Sequence, residues 1–134
     1  MPAAAGEAGL PFVPGAVTPS EVGSCLEAGA KHLKFFPAGA YGGTATLAAL
    51  DDPFGWTGAR FMPTGGVRPE NAADYLSLPN VFAIGGTWIA PRDDITAGRW
   101  DVIGERARAG RDPAPPLTGR QRASQPPSTA RTWP

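Results

Sequence analysis

The 134-residue sequence predicts an α/β protein built from four successive strand–helix units around a parallel sheet, followed by a Pro/Arg-rich tail. Three observations carry this. Short apolar runs begin near residues 10, 31, 59 and 81, each followed by a helix-like segment, and parallel neighbours need such a crossover. None of the runs alternates cleanly between polar and apolar, as expected of strands covered on both faces. Each run also ends in a glycine or proline turn: Pro14-Gly15, Pro37-Ala38-Gly39, Pro63-Thr64-Gly65-Gly66 and Gly85-Gly86-Thr87.

In chain order, the alanine-rich residues 2–8 look like a helix end stopped by Gly9, as if the chain entered in mid-structure. Leu10-Pro11-Phe12-Val13-Pro14 reads as the first strand. A helix then starts at Thr18-Pro19-Ser20-Glu21, with Thr18 as N-cap, Pro19 in the first helical position and Glu21 placed for a capping box. Val22, Cys25 and Leu26 follow at helical spacing, which makes Cys25 a small core residue, and Gly29 ends the element. Residues 31–36 form the second strand, Gly39 to Gly43 a loop, and Thr44 to Leu50 a helix ending near Pro53. Arg60-Phe61-Met62-Pro63 is the third strand. Arg68-Pro69-Glu70-Asn71 opens a helix running to Leu78, Val81-Phe82-Ala83-Ile84 is the fourth strand, and a last helix spans Trp100 to Ala109. Residues 1–109 are thus the folded part. Residues 110–134, with six prolines and four arginines against one acid, are expected to be disordered.

Composition removes several function classes. A hydrophobic fraction of 42% suffices for one core, but 134 residues are too few for a complete eight-unit barrel, which typically needs about 250. Twelve basic and twelve acidic residues balance, so neither nucleic acid nor an anionic membrane is expected as partner. There is no apolar run of membrane-spanning length, and the first residues lack a basic start with an apolar block, so a cytosolic location is expected. Cys25 and His32 are the only residues of their kinds, which excludes an internal disulfide, a Cys or His metal cluster and a histidine triad within one chain.

The chemistry-bearing candidate is Lys34, set between apolar neighbours in His32-Leu33-Lys34-Phe35-Phe36-Pro37-Ala38. A buried ammonium must find a partner, reach water, or shed its proton and become an amine that attacks carbonyl carbon. The plainer alternative is a lysine at a strand end, snorkelling over Phe35 or Phe36. Gly65-Gly66 and Gly85-Gly86 close consecutive units. Without Cβ atoms, their amides can approach an anion closely, although each pair alone could serve only as a tight turn.

Four segments, Phe12-Val13-Pro14-Gly15, Leu33-Lys34-Phe35-Phe36-Pro37-Ala38, Phe61-Met62-Pro63-Thr64-Gly65-Gly66-Val67 and Ile84-Gly85-Gly86-Thr87-Trp88, together resemble the 2-dehydro-3-deoxy-phosphogluconate (KDPG) aldolases. The resemblance runs from about residue 2 to residue 109. It implies the C-terminal half of a TIM (β/α)8 barrel, trimeric when complete. It also implies a class I aldolase that needs no metal or cofactor and cleaves the phosphorylated keto-deoxy sugar acid of the Entner-Doudoroff pathway to pyruvate and glyceraldehyde 3-phosphate. Carried over by position, Lys34 is the Schiff-base lysine, Pro14 and Gly15 line the pocket beside the imine, and Thr64 with the glycines after it holds the pyruvate carboxylate. Gly65, Gly66, Gly86 and Thr87 form the phosphate cradle. The family's catalytic glutamate and a substrate-binding arginine precede the matching region, so the isolated chain is expected to be truncated and weak or inactive. Gly39 stands where relatives often carry glutamate, and Thr87 where serine is common. The rival expectations are an inert half-barrel with a residual phosphate site, and an aldolase for 4-hydroxy-2-oxoglutarate.

Overall fold

The computed structural model describes residues 2–111. Its elements are α1 (Pro2–Glu7), α2 (Pro19–Glu27), β1 (His32–Phe35), α3 (Gly43–Phe54) with a 3-10 turn at Gly55–Thr57, β2 (Arg60–Pro63), α4 (Pro69–Leu76), α5 (Arg92–Thr96) and α6 (Trp100–Arg111). The remainder of the expected tail lies outside the described residues. None of the described helices is long and apolar enough to cross a membrane.

The α2 start follows its capping box. The Thr18 hydroxyl accepts the Glu21 N–H at 3.3 Å, and the Glu21 carboxylate accepts the Val17 and Thr18 N–H groups, each at 2.9 Å. Those backbone bonds, that of Val17 first, hold the Glu21 carboxyl below its ordinary pKa. Helix α2 buries Val22 and packs Cys25 and Leu26 against the core. Burial, and secondarily the Glu21 charge, pushes the Cys25 thiol up, as suits a packing residue.

The sheet departs from the four expected strands. Only β1 and β2 form a regular parallel pair, in register from His32 opposite Arg60 to Phe35 opposite Pro63. The expected outer strands are reduced to isolated parallel bridges, Gly15 to Lys34 on one side and Val81 to Phe61 and Gly85 to Thr64 on the other. The spatial order is nevertheless sequential and every pairing parallel. Proline explains both reductions. On the first side, the ladder consists of Lys34 N–H to Pro14 O (2.7 Å) and Ala16 N–H to Lys34 O (2.9 Å), and Pro11 and Pro14 have no N–H to extend it. On the other, Phe61 pairs with Asn80 and Phe82, but Pro63 cannot donate and the next bond slips to Gly85 N–H, 3.0 Å from Pro63 O.

Both strands show the same burial pattern, exposed, buried, half-buried, buried. Leu33, Phe35 and Phe61 therefore enter the core with Leu47 and Leu50 of α3 and Tyr75 of α4. The Phe35 and Phe61 rings meet edge to face at a 6.4 Å centroid distance. Lys34 and Met62 share the opposite, half-covered face. That corrects the expectation that both faces are covered. Helix α5, not expected from the sequence, is tied to α6 by buried Asp94, which pairs with Arg99 and Arg106.

Two outcomes follow. Phe61→Ala should lower stability by about 3–5 kcal/mol in urea unfolding, since Phe61 is 1% exposed and its space cannot fill from solvent. Arg106, then Arg99, hold the Asp94 carboxyl below its ordinary 3.8, so its stabilisation is full above that value and lost as pH falls through the lowered folded value. Asp94→Asn should therefore be less stable than the parent at pH 7, with the gap closing in unfolding measured at progressively lower pH.

Candidate active site

The alternation of β1 determines where Lys34 goes. With Leu33 and Phe35 in the core, its side chain leaves by the other face, half-buried, and its Nζ lies 4.8 Å from the centroid of the Phe36 ring. That ring is 54% exposed, so the lysine stem runs over an aromatic at the edge of an open cleft. The cleft, of ≈ 370 Å³, is walled by Lys34 and Phe36 on one side, the Thr64–Val67 turn, and Gly85, Gly86 and Thr87 on the other. The snorkelling geometry and the cleft-facing geometry are one arrangement.

The turns are shaped by close backbone approach. Gly65 and Gly66 have φ of +77° and +84°, a region where side chains are strained. The loop after β1 docks on them, with Ala38 N–H to Thr64 O at 2.8 Å and Gly39 N–H to Gly65 O at 2.9 Å. Asn71, in the first turn of α4, accepts the Arg68 N–H at 2.8 Å and donates to Gly66 O at 3.1 Å, which fixes the turn from the helix side. The Phe36–Pro37 peptide is cis. A Cβ on Gly86 would run into the Trp88 indole.

With the carbonyls so engaged, the amide N–H groups of Gly65, Gly66, Gly86 and Thr87 donate to no backbone carbonyl among the described residues. The Thr64 Oγ1 is buried in the cleft wall without a partner among the described residues. Free amides at the carboxyl ends of adjacent parallel strands are suited to an anion. The lining carries no carboxylate, so the cleft offers a lysine, the Thr64 and Thr87 hydroxyls and amide donors but no anionic base.

Of the sequence-derived site residues, Lys34, Thr64, Gly65, Gly66, Gly86 and Thr87 come together in this cleft. Pro14 and Gly15 do not line it. They flank Lys34 through the backbone, Pro14 O accepting the Lys34 N–H and Gly15 bridging to Lys34. Their pairing partner was legible in the strand order, but a proline–glycine end-of-strand motif does not tell pocket wall from ladder rung. Gly85, expected with Gly86 as part of an anion-binding turn, lines the cleft as well, and Phe36 and Val67 line it without having been singled out as binding residues, although both stand inside the quoted motifs.

Fold and cleft together define a parallel α/β protein with one lysine beside a set of unpaired glycine amides. Comparison with known proteins places that class. The KDPG and KHG aldolase profile matches residues 2–106, and the chain belongs to that family. The KHG/KDPG aldolase of Escherichia coli K12 is 46% identical over 105 residues, 78% of this chain and 48% of the relative. A Legionella pneumophila KDPG aldolase, captured with pyruvate as a covalent carbinolamine, superposes with a TM-score of 0.74 at 39% identity, covering 81% of this chain and 52% of that one. The Zymomonas mobilis ZM4 2-keto-3-deoxy-6-phosphogluconate aldolase, solved with 3-phosphoglycerate, gives 0.62 at 32% identity, over 74% and 49%. The chain spans about half the length of the relatives it matches.

Gly65→Ala tests the turn. An added Cβ would sit 2.9 Å from two Phe36 ring carbons and 3.2 Å from Pro37 Cα, and Pro37 cannot move aside without breaking the loop's docking. Stability should fall by about 1–3 kcal/mol. Gly23→Ala, within α2 and with nothing inside 4 Å, should leave urea unfolding unchanged or raise its midpoint.

Proposed function

We propose that this chain carries the imine-forming and phosphate-binding part of a class I aldolase that cleaves 2-dehydro-3-deoxy-6-phosphogluconate to pyruvate and glyceraldehyde 3-phosphate. One observation carries the reading: Lys34 shares a cleft with the unpaired amides of Gly65, Gly66, Gly86 and Thr87. In this reading the neutral Lys34 amine attacks the keto carbon to give a carbinolamine, and loss of water gives an imine. The imine then draws in the electrons of the neighbouring carbon–carbon bond as the substrate hydroxyl gives up its proton and the aldehyde departs. The enamine left behind takes a proton on carbon, and water returns the amine and pyruvate. The Thr64 hydroxyl serves the carboxylate next to the imine, and the four amides serve the phosphate. Pro14 and Gly15 act by holding the backbone of Lys34. The same reading carries a cytosolic site of action and a homotrimer for the complete barrel.

Lys34 cannot be its own base while bonded to carbon, and the cleft has no carboxylate, so proton transfer during cleavage needs a group from beyond the described cleft. Phosphate-ready amides favour the phosphorylated substrate. The joint KHG/KDPG name of the E. coli relative keeps 4-hydroxy-2-oxoglutarate as the second substrate to assay.

Pyruvate with borohydride should label Lys34, slowly, with the site located by peptide mass spectrometry. Lys34→Ala should abolish labelling, and exposed Lys31 should remain unlabelled. Cleavage of the sugar acid by the isolated chain should be weak or absent. Equal labelling of Lys31 and Lys34 would make Lys34 an ordinary surface amine and leave an inert fold with a residual phosphate site as the better account.

A further inference from the structure

A second cleft, of ≈ 550 Å³, adjoins the first across Gly66 and opens between the start of α3 and α4. Its walls are polar and include Gly42, Gly43, Thr44, Arg68, Asp74 and Tyr75. Helix α3 begins here without a side-chain cap, after Gly42 in the left-handed region at φ +85°. The Gly43 N–H is taken by Ala38 O at 2.9 Å, whereas those of Thr44 and Ala45 have no backbone acceptor outside the helix. An open helix start concentrates partial positive charge.

Tyr75 independently points to a ligand. It is 3% exposed as a residue and lines the cleft. Its hydroxyl is aimed at the open end of α3, because a Cβ on Gly43 would lie 3.0 Å from it. The Tyr75 ring is buried while its hydroxyl tip opens onto the cleft, where it is a donor held in place for a ligand. Arg68, exposed at the same cleft, makes no ion pair among the described residues, since the pairs recorded all involve Asp94. Asp74, the one acid of the lining, is already engaged in an interaction of its own.

We propose that this cleft is a second oxyanion site, separate from the lysine cleft, in which the α3 amide end, the Tyr75 hydroxyl and the Arg68 guanidinium together bind the phosphate group of a phosphate monoester. The three donor types fit the oxygens of one phosphate, which accepts from amides, a phenol and a guanidinium at once. The shared Gly66 makes the two clefts neighbours, not one site: no residue of the Lys34, Phe36, Gly86 and Thr87 walls lines the second.

The test is a titration of the full chain with inorganic phosphate at constant ionic strength, read amide by amide by nuclear magnetic resonance, with sodium chloride as control. Expected is a saturating shift of Gly42, Gly43 and Thr44 with its own dissociation constant, absent with chloride. Tyr75→Phe and Arg68→Gln should each weaken that constant by about tenfold, while the shifts of Gly65, Gly86 and Thr87 stay within about twofold. Far-ultraviolet circular dichroism and the thermal midpoint check that both variants fold. Gly42, Gly43 and Thr44 that stay still, shift linearly without saturating, or respond equally in parent and variants would overturn the proposal. Silence at Gly86 and Thr87 alone would instead count against the phosphate cradle proposed above and leave this second site standing.

Discussion

The period of two along β1 is the constraint on which the rest depends. Leu33 and Phe35 are both fully buried against the helices, and no slip of register can keep them there while turning Lys34 inward. The lysine is thus held on the open face by the apolar energy of its two neighbours. Its direction needs no partner of its own, which leaves the ammonium uncommitted. Met62, directly opposite in β2, follows by the same rule, because Phe61 and Pro63 are buried beside it.

The glycine turns then convert a lysine on a sheet into a lysine in a cleft. Each glycine is placed where another backbone or ring arrives within contact distance: Phe36 and Pro37 at Gly65, the Gly39 backbone at Gly66 and the Trp88 indole at Gly86. Loop carbonyls are consumed by docking, as in Ala38 to Thr64 and Gly39 to Gly65, and amides are left over. This asymmetry gives the site its electrostatic character without any charged residue apart from Lys34. Asn71 belongs to the same device, since it spends both ends of its amide on the turn rather than on the cleft.

Much of this was legible in the sequence. The capping box at Thr18 and Glu21 and the sequential parallel order rest on local rules, and the structure places them accordingly; that Lys34 and Thr64 share a cleft with the glycines of two turns was expected from the family resemblance. What was not legible depended on partners far along the chain. A proline ends a strand in any reading, but whether Pro14 lines a pocket or caps a ladder depends on which carbonyl faces Lys34. The outer strands looked as good as the inner ones by composition; they fall short because the missing N–H of Pro63 and of Pro14 interrupts pairing at positions visible only once register is known. Both-face coverage was inferred from apolar runs, yet Met62 and Lys34 share a face that is only half covered. Tyr75 gave no signal at all, since a tyrosine at helical spacing reads as core, and core it is except for its hydroxyl.

The chemistry of the lysine cleft is divided by charge. The side chains that line it either donate hydrogen bonds or are apolar, and only the Thr64 and Thr87 hydroxyls can also accept one while Lys34 is charged. Such a cleft can hold two anionic groups and favour charge developing between them. It cannot take up a proton at neutral pH unless the lysine does so, and a lysine bonded to carbon cannot. In the proposed reaction, binding and imine formation need only consecutive strand–helix units, which present their carboxyl-end turns side by side. Proton transfer needs an acceptor arriving over the half-covered face that carries Lys34 and Met62. That face is where β1 and β2 leave an apolar and a cationic side chain only half covered, so in the proposed reaction the direction from which a base approaches is set by the same alternation that sets the lysine.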